Sequence, residues 1–407
     1  MLFTFPAAML AASLSLAAPE PSLTLSQAQS LAVVHSRQLQ GIDAAIGAAR
    51  DMALVAGQLP DPVLKVGIDN LPVSGADRLS LSNDFMTMRR VGVMQELTRS
   101  DKRHWRAEAY ARAADKAAAE KSAAIAAIER DTAFAWLERY YAEQMAALIA
   151  EQAAQSRLEV TAAESAYRAG RAGLADILAA RSALAMFEDS ASEAGQRVQN
   201  AKSALARWTG MQAVLAGQPA LETLRRDPLR GQLPQLAVLA RQEEIAHADA
   251  KLADAGTRAD WSVEVAFQQR GPGFSNMISV GVSVPLQWDR KHRQWRERAA
   301  KLALAGQASA EREEAQRARL AETEIMIGEW QNGRERIARY ERELLPLAGE
   351  RTLAILAAYR GGKATLADLL AARRNETEVR LRALQLRLAT ARTWAQLDTL
   401  FPSKDVP

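Results

Sequence analysis

The 407-residue sequence has no cysteine. That excludes disulfides, thiolate-bound zinc, iron–sulfur clusters, cysteine nucleophiles and a lipid anchor on an N-terminal cysteine. Aromatic residues are scarce, at 5% of the chain, which is low for a protein built around one thick core. Neither sign of charge dominates: 52 Lys and Arg face 48 Asp and Glu, a net charge of +4. A nucleic-acid binder concentrates Lys and Arg on one face, so this balance argues against nucleic acid as a partner. The chain has no Gly-x-Ser-x-Gly, phosphate loop, dinucleotide fingerprint or His-Glu-x-x-His, so no enzyme and no cofactor is expected. Its four histidines (His35, His104, His247 and His292) form no ligand-spaced pair, and no metal site is expected. Apolar residues at 48% and charged residues at 25% exclude a disordered chain.

Only the first residues form a long apolar run. Met1 to Ala18 reads MLFTFPAAMLAASLSLAA, uncharged and followed by Pro19. It is too short and too early for a spanning helix and reads as a signal peptide over 1–18, cut near Ala17 or Ala18. No Lys or Arg precedes it; a disordered apolar tail is the alternative. No later stretch is apolar enough to cross a membrane as a helix.

What is present is helix on an unusual scale. Asp101 to Arg168 runs without a Gly or a Pro and is rich in Ala, Glu, Lys, Arg and Gln. A helix over it is about 100 Å long, beyond the diameter of any compact domain of this mass. Its apolar stripe (Phe134, Leu137, Tyr141, Met145, Leu148) is diluted elsewhere by Ala123, Ala124, Ala126 and Ala127, which bury little area each. Neighbours must therefore support it along its length. Further helical runs cover Leu174–Thr209, Lys291–Arg360 and Lys363–Phe401, with Pro346 expected to kink or divide the second of these.

The chain contains itself twice. Ala166–Arg181 reads AYRAGRAGLADILAAR and Ala358–Arg373 reads AYRGGKATLADLLAAR, with 12 of 16 positions identical at an offset of 192. DKRHWR from Asp101 answers DRKHRQWR from Asp289. Such a period is far too long for a solenoid and marks two copies of a domain-sized unit. The copies are 19–210 and 235–407, joined by a Gly- and Pro-rich connector, 211–234.

Each copy also carries two stretches where the period falls to two. Leu64, Val66 and Ile68 alternate with Lys65, Gly67 and Asp69; Val263, Val265 and Phe267 alternate with Ser262, Glu264 and Ala266. Ile278, Val280, Val282 and Val284 alternate with small residues, and Leu79–Leu97 is less regular. The turns are Asn70–Asp77 and Arg270–Asn276. Strands of about ten residues suit a tilted outer-membrane barrel, and soluble hairpins packed on the helices are the alternative. Four strands cannot close a barrel, and an open edge cannot stand in lipid, so spanning strands require an oligomer.

The order helix, two strands, long helix, tight turn, helix, given twice, resembles the TolC family of outer-membrane efflux proteins. The resemblance spans roughly Leu23 to Phe401, and its sharpest motif is Tyr-x-x-Gly-x-x-x-Leu-x-Asp, at Tyr167–Asp176 and Tyr359–Asp368. It implies a mainly α fold with a membrane β-barrel portion: a homotrimer with a 12-stranded barrel in outer-membrane lipid above a periplasmic α-helical barrel. The implied partners are a periplasmic adaptor protein and an inner-membrane pump of the RND type. Val284-Pro285-Leu286 leading to Asp289-Arg290, and Phe85–Met88 before Gln95-Glu96-Leu97, are similar to the heavy-metal branch. Met86, Met88 and Met94 form either a soft-metal track or ordinary strand packing. Conduits for drug export or type I protein secretion are alternatives, as is a soluble periplasmic coiled-coil adaptor or scaffold.

The tips carry the candidate site. Gly170 and Gly362 suit positive φ at helix ends. Thr365 and Asp368 form a capping pattern, with Gly173 and Asp176 at the matching positions. Both aspartates sit where a helix N-terminus favours negative charge. The resemblance further implies that Asp368 lines a pore constriction, where three carboxylates raise one another's pKa and favour cations. It implies a gate link between Asp176 and Tyr359, although Tyr359 equally suits packing. The basic residue of the family's lock falls at Ala364, beside Lys363, and a second acidic ring falls at Ala371, so both are missing here. By position alone, the resemblance implies adaptor docking at Gly170, Arg171, Gly173 and Leu174, and at Gly362, Lys363, Thr365 and Leu366.

Overall fold

The computed structural model describes residues 22–219, 223–224, 227–229 and 233–401. The expected signal peptide and its cleavage point lie outside the described residues, as does part of the connector.

A two-residue strand β1 (Ser22–Leu23) leads into α1 (Leu25–His35) and α2 (Arg37–Ala56). Thr24 starts α1 with a full capping box to Gln27, and the Ser36 hydroxyl accepts the Leu39 N–H to start α2. Strands β2 (Val63–Asp69) and β3 (Met88–Leu97) follow, then α3 (Ser100–Arg168) and α4 (Leu174–Thr209). After the short β4 (Val214–Leu215) the plan repeats as α5 (Pro234–Ala255), β5 (Trp261–Gln269), β6 (Met277–Ser283), α6 (Gln294–Arg339), α7 (Leu345–Arg360) and α8 (Leu366–Asp398). With 69 residues, α3 is about 100 Å long, as the missing Gly and Pro required.

Pro346 does divide the third helical run, through a five-residue π-helical turn, Tyr340–Leu344, between α6 and α7. The Leu345 N–H reaches back to the Tyr340 carbonyl, so Pro346 falls in the first turn of a renewed helix, where its missing N–H costs little. Gly306, Gly328 and Gly333 do not interrupt α6. A Cβ at Gly333 would collide with the Thr390 side chain, so this glycine lets α6 approach α8 closely.

The fourth expected strand is shorter at its start than Leu79–Leu97. Local hydrogen bonding takes residues 79–87 away from it. The Asp84 carboxylate accepts the N–H groups of Met86 (2.7 Å) and Thr87 (3.1 Å), and Asn70 and Leu79 hold positive φ. The β2–β3 connection is therefore residues 70–87, and it rests on the turn after β5, where Gly271 abuts the Ser82 backbone.

The four longer strands form one antiparallel sheet in the order β2-β3-β5-β6. Its central β3–β5 pair joins the first copy to the second. The outer edges of β2 and β6 have no partner among the described residues.

The principal core lies midway along the helices. Trp136, Leu137 and Tyr141 of α3 pack with Leu205, Met326, Trp330, Trp394 and Leu397. The buried Trp136 indole donates to the Leu23 carbonyl at 3.1 Å, tying the N-terminal segment to α3. Below and above it the helices meet mainly through alanines, which is why a chain so apolar by count builds so thin a core. Trp136→Ala is expected to cost about 4 kcal/mol and Trp136→Phe distinctly less, read from thermal unfolding of the purified protein.

Candidate functional site at the helical tips

Two reverse turns of nearly equal geometry join α3 to α4 and α7 to α8. Gly170 sits at φ 68° and Gly362 at φ 72°, a left-handed conformation that favours glycine. The Arg171 N–H bonds the Ala166 carbonyl at 2.9 Å, and the Lys363 N–H bonds the Ala358 carbonyl at 2.8 Å. Each closes the descending helix with a Schellman-type reversal.

The ascending helices start differently. In the second copy the Asp368 N–H donates to Thr365 Oγ1 (3.2 Å), while the Thr365 N–H (3.0 Å) and hydroxyl (2.6 Å) donate to Asp368 Oδ2. In the first copy Gly173 has no side chain, and only its N–H reaches Asp176 Oδ2, at 2.8 Å. The Thr365 hydroxyl, followed by its backbone N–H, holds the exposed Asp368 carboxyl below the ordinary carboxylate value. This local cap works against the raised value that the resemblance implied for Asp368.

The structure brings the two tips together. Ala163, Ile177 and Ala180 of the first hairpin bury against Leu366 and Leu369 of the second, with Tyr359 packed at the margin. Leu174 is 57% exposed, but Leu366 is only 6% exposed and is withdrawn from the docking surface it was expected to share. Gly170, Arg171, Gly173, Gly362, Lys363 and Thr365 are exposed.

No hydrogen bond joins Asp176 to Tyr359 among the described residues. Asp176 caps its own helix, and Tyr359 serves the apolar cluster. The polar tie between the hairpins is instead an ion pair of Glu159 on α3 with Arg373 on α8. Both side chains are largely buried. Burial pushes the Glu159 carboxyl above its ordinary value, and the Arg373 guanidinium pulls it back. A cavity of about 480 Å3 lies beside the pair, walled in part by Met186, Phe187, Leu370 and Leu381. Sequence reasoning missed this pair, since nothing in either local pattern says that these faces of α3 and α8 meet.

At the far end of the molecule the sheet has two unlike faces. The register aligns Leu64, Val93, Val265 and Val280 in one row and Val66, Val91, Phe267 and Ile278 in the next. All eight are exposed, with Val66 at 72% and Ile278 at 73%. The opposite face carries an ion-pair network: Glu264 meets Lys65 at 2.6 Å and Arg90 at 3.5 Å, and Arg90 meets Asp69 at 3.3 Å. Met88 and Met94 lie on this polar face by register, and Met86 lies in the loop. No group of three or more His, Cys, Asp or Glu side chains among the described residues is placed to hold a metal ion. No described helix is long and apolar enough to cross a membrane.

No protein-family model matches the chain, and no curated protein matches its sequence. Solved structures match its fold. The outer membrane protein VceC from Vibrio cholerae superposes with a TM-score of 0.76 at 18% identity, over 92% of this chain and 95% of that one. CusC, whose crystal structures concern folding and transmembrane channel formation, gives 0.78 at 15% identity, over 98% and 99%. The Campylobacter jejuni CmeC outer membrane channel gives 0.72 at 13% identity, over 100% and 95%. The chain therefore has the TolC-like outer-membrane channel fold, the fold class expected from its duplicated plan.

Two outcomes follow from the tip geometry. Because its folded pKa is depressed, Asp368 contributes stability above the ordinary carboxylate value that is lost as pH falls through the lowered one. Thr365→Val is expected to raise the pH at which Asp368 takes up its proton, with Thr365→Ser leaving it in place; carboxyl-region NMR titration of the labelled aspartates reads this. Arg373→Met strands the Glu159 carboxylate and is expected to cost about 3 kcal/mol near neutral pH. Since the Glu159 value is raised, that cost shrinks on acidification, and adding Glu159→Gln recovers most of it; hydrogen exchange in α3 and α8 checks both.

Proposed function

We propose that this chain is one protomer of an outer-membrane export channel, the exit duct of a tripartite efflux system. The observation that carries the reading is the sheet. It is apolar and exposed on one face, charged on the other, and open at both edges among the described residues. Lipid tolerates the first face, an aqueous lumen suits the second, and only further copies of the chain can satisfy the edges. The ten residues of β3 reach about 33 Å, or about 25 Å at a typical barrel tilt, which matches the apolar band of outer-membrane barrels. A soluble scaffold has no need of such a face.

The unlike edges also dictate how copies meet. β2 follows α2, which exposes Leu54 and Val55, and β6 leads into α6, which exposes Leu302 and Leu304. A contact of one edge with the other is heterologous and must close into a ring. Three copies give the twelve strands of the TolC-like barrel, with the helical hairpins extending it through the periplasm as a second barrel. In this reading residues 1–18 direct export, and 19–210 and 235–407 are the two copies, joined by 211–234. Asp368 faces the lumen at the periplasmic constriction. The exposed tip residues Gly170, Arg171, Gly173, Leu174, Gly362, Lys363 and Thr365 dock an adaptor protein coupled to an inner-membrane pump of the RND type. Heavy-metal cations are the cargo put first, on the sequence resemblance and the acid at the pore. Drug export and type I secretion are the alternatives, and the sensitivity profile of a deletion strain separates them.

The cysteine-free sequence offers a clean test of the ring. One cysteine is placed on the β2 edge and one on the β6 edge, scanned around Lys65 and Ser279, and the protein is oxidised in isolated outer membranes. Covalent species that climb to a trimer and stop there, resistant to carbonate washing, are expected. In planar bilayers the trimer should conduct, and Asp368→Ala should reduce its cation preference. A carbonate-soluble monomer that never cross-links between chains ends the reading.

A further inference from the structure

The two copies have diverged where strands give way to helices. In the first, the cations around Asp101–Arg106 are consumed internally. Lys102 is buried and donates to Asp260 Oδ2 at 2.6 Å; Arg103 donates to the Gly57 carbonyl at 3.2 Å; Arg99 and Arg258 each meet Asp101 at 3.3 Å. Arg106 alone of these has neither an ion pair nor a side-chain hydrogen bond among the described residues. In the second copy, Arg290, Lys291, Arg293 and Arg296 are all exposed, and none has an ion-pair partner among the described residues. Asp289 is engaged by His292, at 2.8 Å. Two tryptophans are interleaved with these cations, one before Arg290 and one just before Arg296: Trp288 is 88% exposed and Trp295 is 56% exposed.

The position of this run gives it meaning. It follows β6 directly, at the helix end of the sheet, just beyond the apolar face that spans lipid in the reading above, on which this inference rests. Trp261, half exposed and paired in register with Leu97, marks the same end on β5. Exposed indoles beside a membrane-spanning apolar face settle at headgroup depth. Guanidinium groups bind phosphate oxygens in bidentate fashion, and clustered Lys and Arg favour anionic lipid surfaces. A neighbouring copy of the chain fits these cations poorly. The edge it would bring, residues 50–63, holds two carboxylates, Asp51 and Asp61, together with Arg50, against four unpaired cations.

We propose that Trp288–Arg296 is a binding surface for anionic phospholipid headgroups in the leaflet that faces the helices. The indoles set its depth and the four cations select charge.

The test uses the full chain, purified in detergent, with phosphatidylglycerol or phosphatidylcholine added. Retained lipid is read by native mass spectrometry, and melting is followed in parallel. Phosphatidylglycerol should be retained about tenfold over phosphatidylcholine, with the preference shrinking as salt rises. Combining Arg290→Gln, Lys291→Gln, Arg293→Gln and Arg296→Gln should abolish the preference and keep the assembly, whereas Trp288→Ala with Trp295→Ala should weaken retention of both lipids. Inorganic phosphate at matched concentration should shift nothing. The proposal is overturned if the native protein shows no preference, if the glutamine variant keeps it, or if free phosphate acts equally well. It is also overturned if the glutamine variant dissociates into protomers, which would assign these cations to the seam between copies. Carbonate extraction of the native protein separates the two readings. Release into the soluble fraction defeats the membrane assignment itself, while a membrane-retained assembly without lipid preference defeats this inference alone.

Discussion

An unpaired strand edge in hydrocarbon leaves a row of N–H and C=O groups without partners, at several kcal/mol each. In the membrane setting proposed for this sheet, that constraint organises the whole chain. The sheet has two such edges, on β2 and β6, and no described segment covers either of them. One face of the same sheet is unsuited to water, and the other carries four charged side chains in mutual contact. In the proposed membrane setting, a closed ring is the arrangement that satisfies both faces and both edges at once. The long helices inherit this geometry, because each hairpin of strands delivers its helices to a fixed place on the rim.

The helices in turn cannot stand alone. α3 is about 100 Å long and rich in alanine, so most of its length buries little apolar area. Bulky residues are spent in one place, around Trp136, Trp330 and Trp394, and a much smaller cluster ties the tips. On the sheet side of the central core, ion pairs link neighbouring helices, such as Lys301 with Asp249 and Arg312 with Glu243, and these shape the surface more than they stabilise it.

The element order recurs in the two halves of the chain, and the halves differ in local chemistry. The first keeps its helix unbroken through 69 residues and internalises most of its junction cations. The second carries the π-helical turn ahead of Pro346, the complete cap around Asp368 and the exposed basic run after β6. Its specialised chemistry is thus concentrated in one half, while the other half braces it through the Leu366 cluster and the Glu159–Arg373 pair.

What the sequence determined by itself was everything set by near neighbours along the chain. The absence of Gly and Pro made α3 inevitable, the glycines of the repeated motif gave both tip reversals, and the Thr365–Asp368 spacing gave the cap, because each depends on hydrogen bonds spanning six residues or fewer. Alternation marked the strands, except where Asp84 and its turn displaced the start of β3. The tertiary structure alone decided which helix faces meet. It buried Leu366 and exposed its counterpart Leu174, packed Tyr359 against the tip cluster, and brought Glu159 against Arg373. Those outcomes depend on the rotation of one long helix against another, which a periodic, alanine-rich sequence leaves nearly degenerate until the packed neighbours choose.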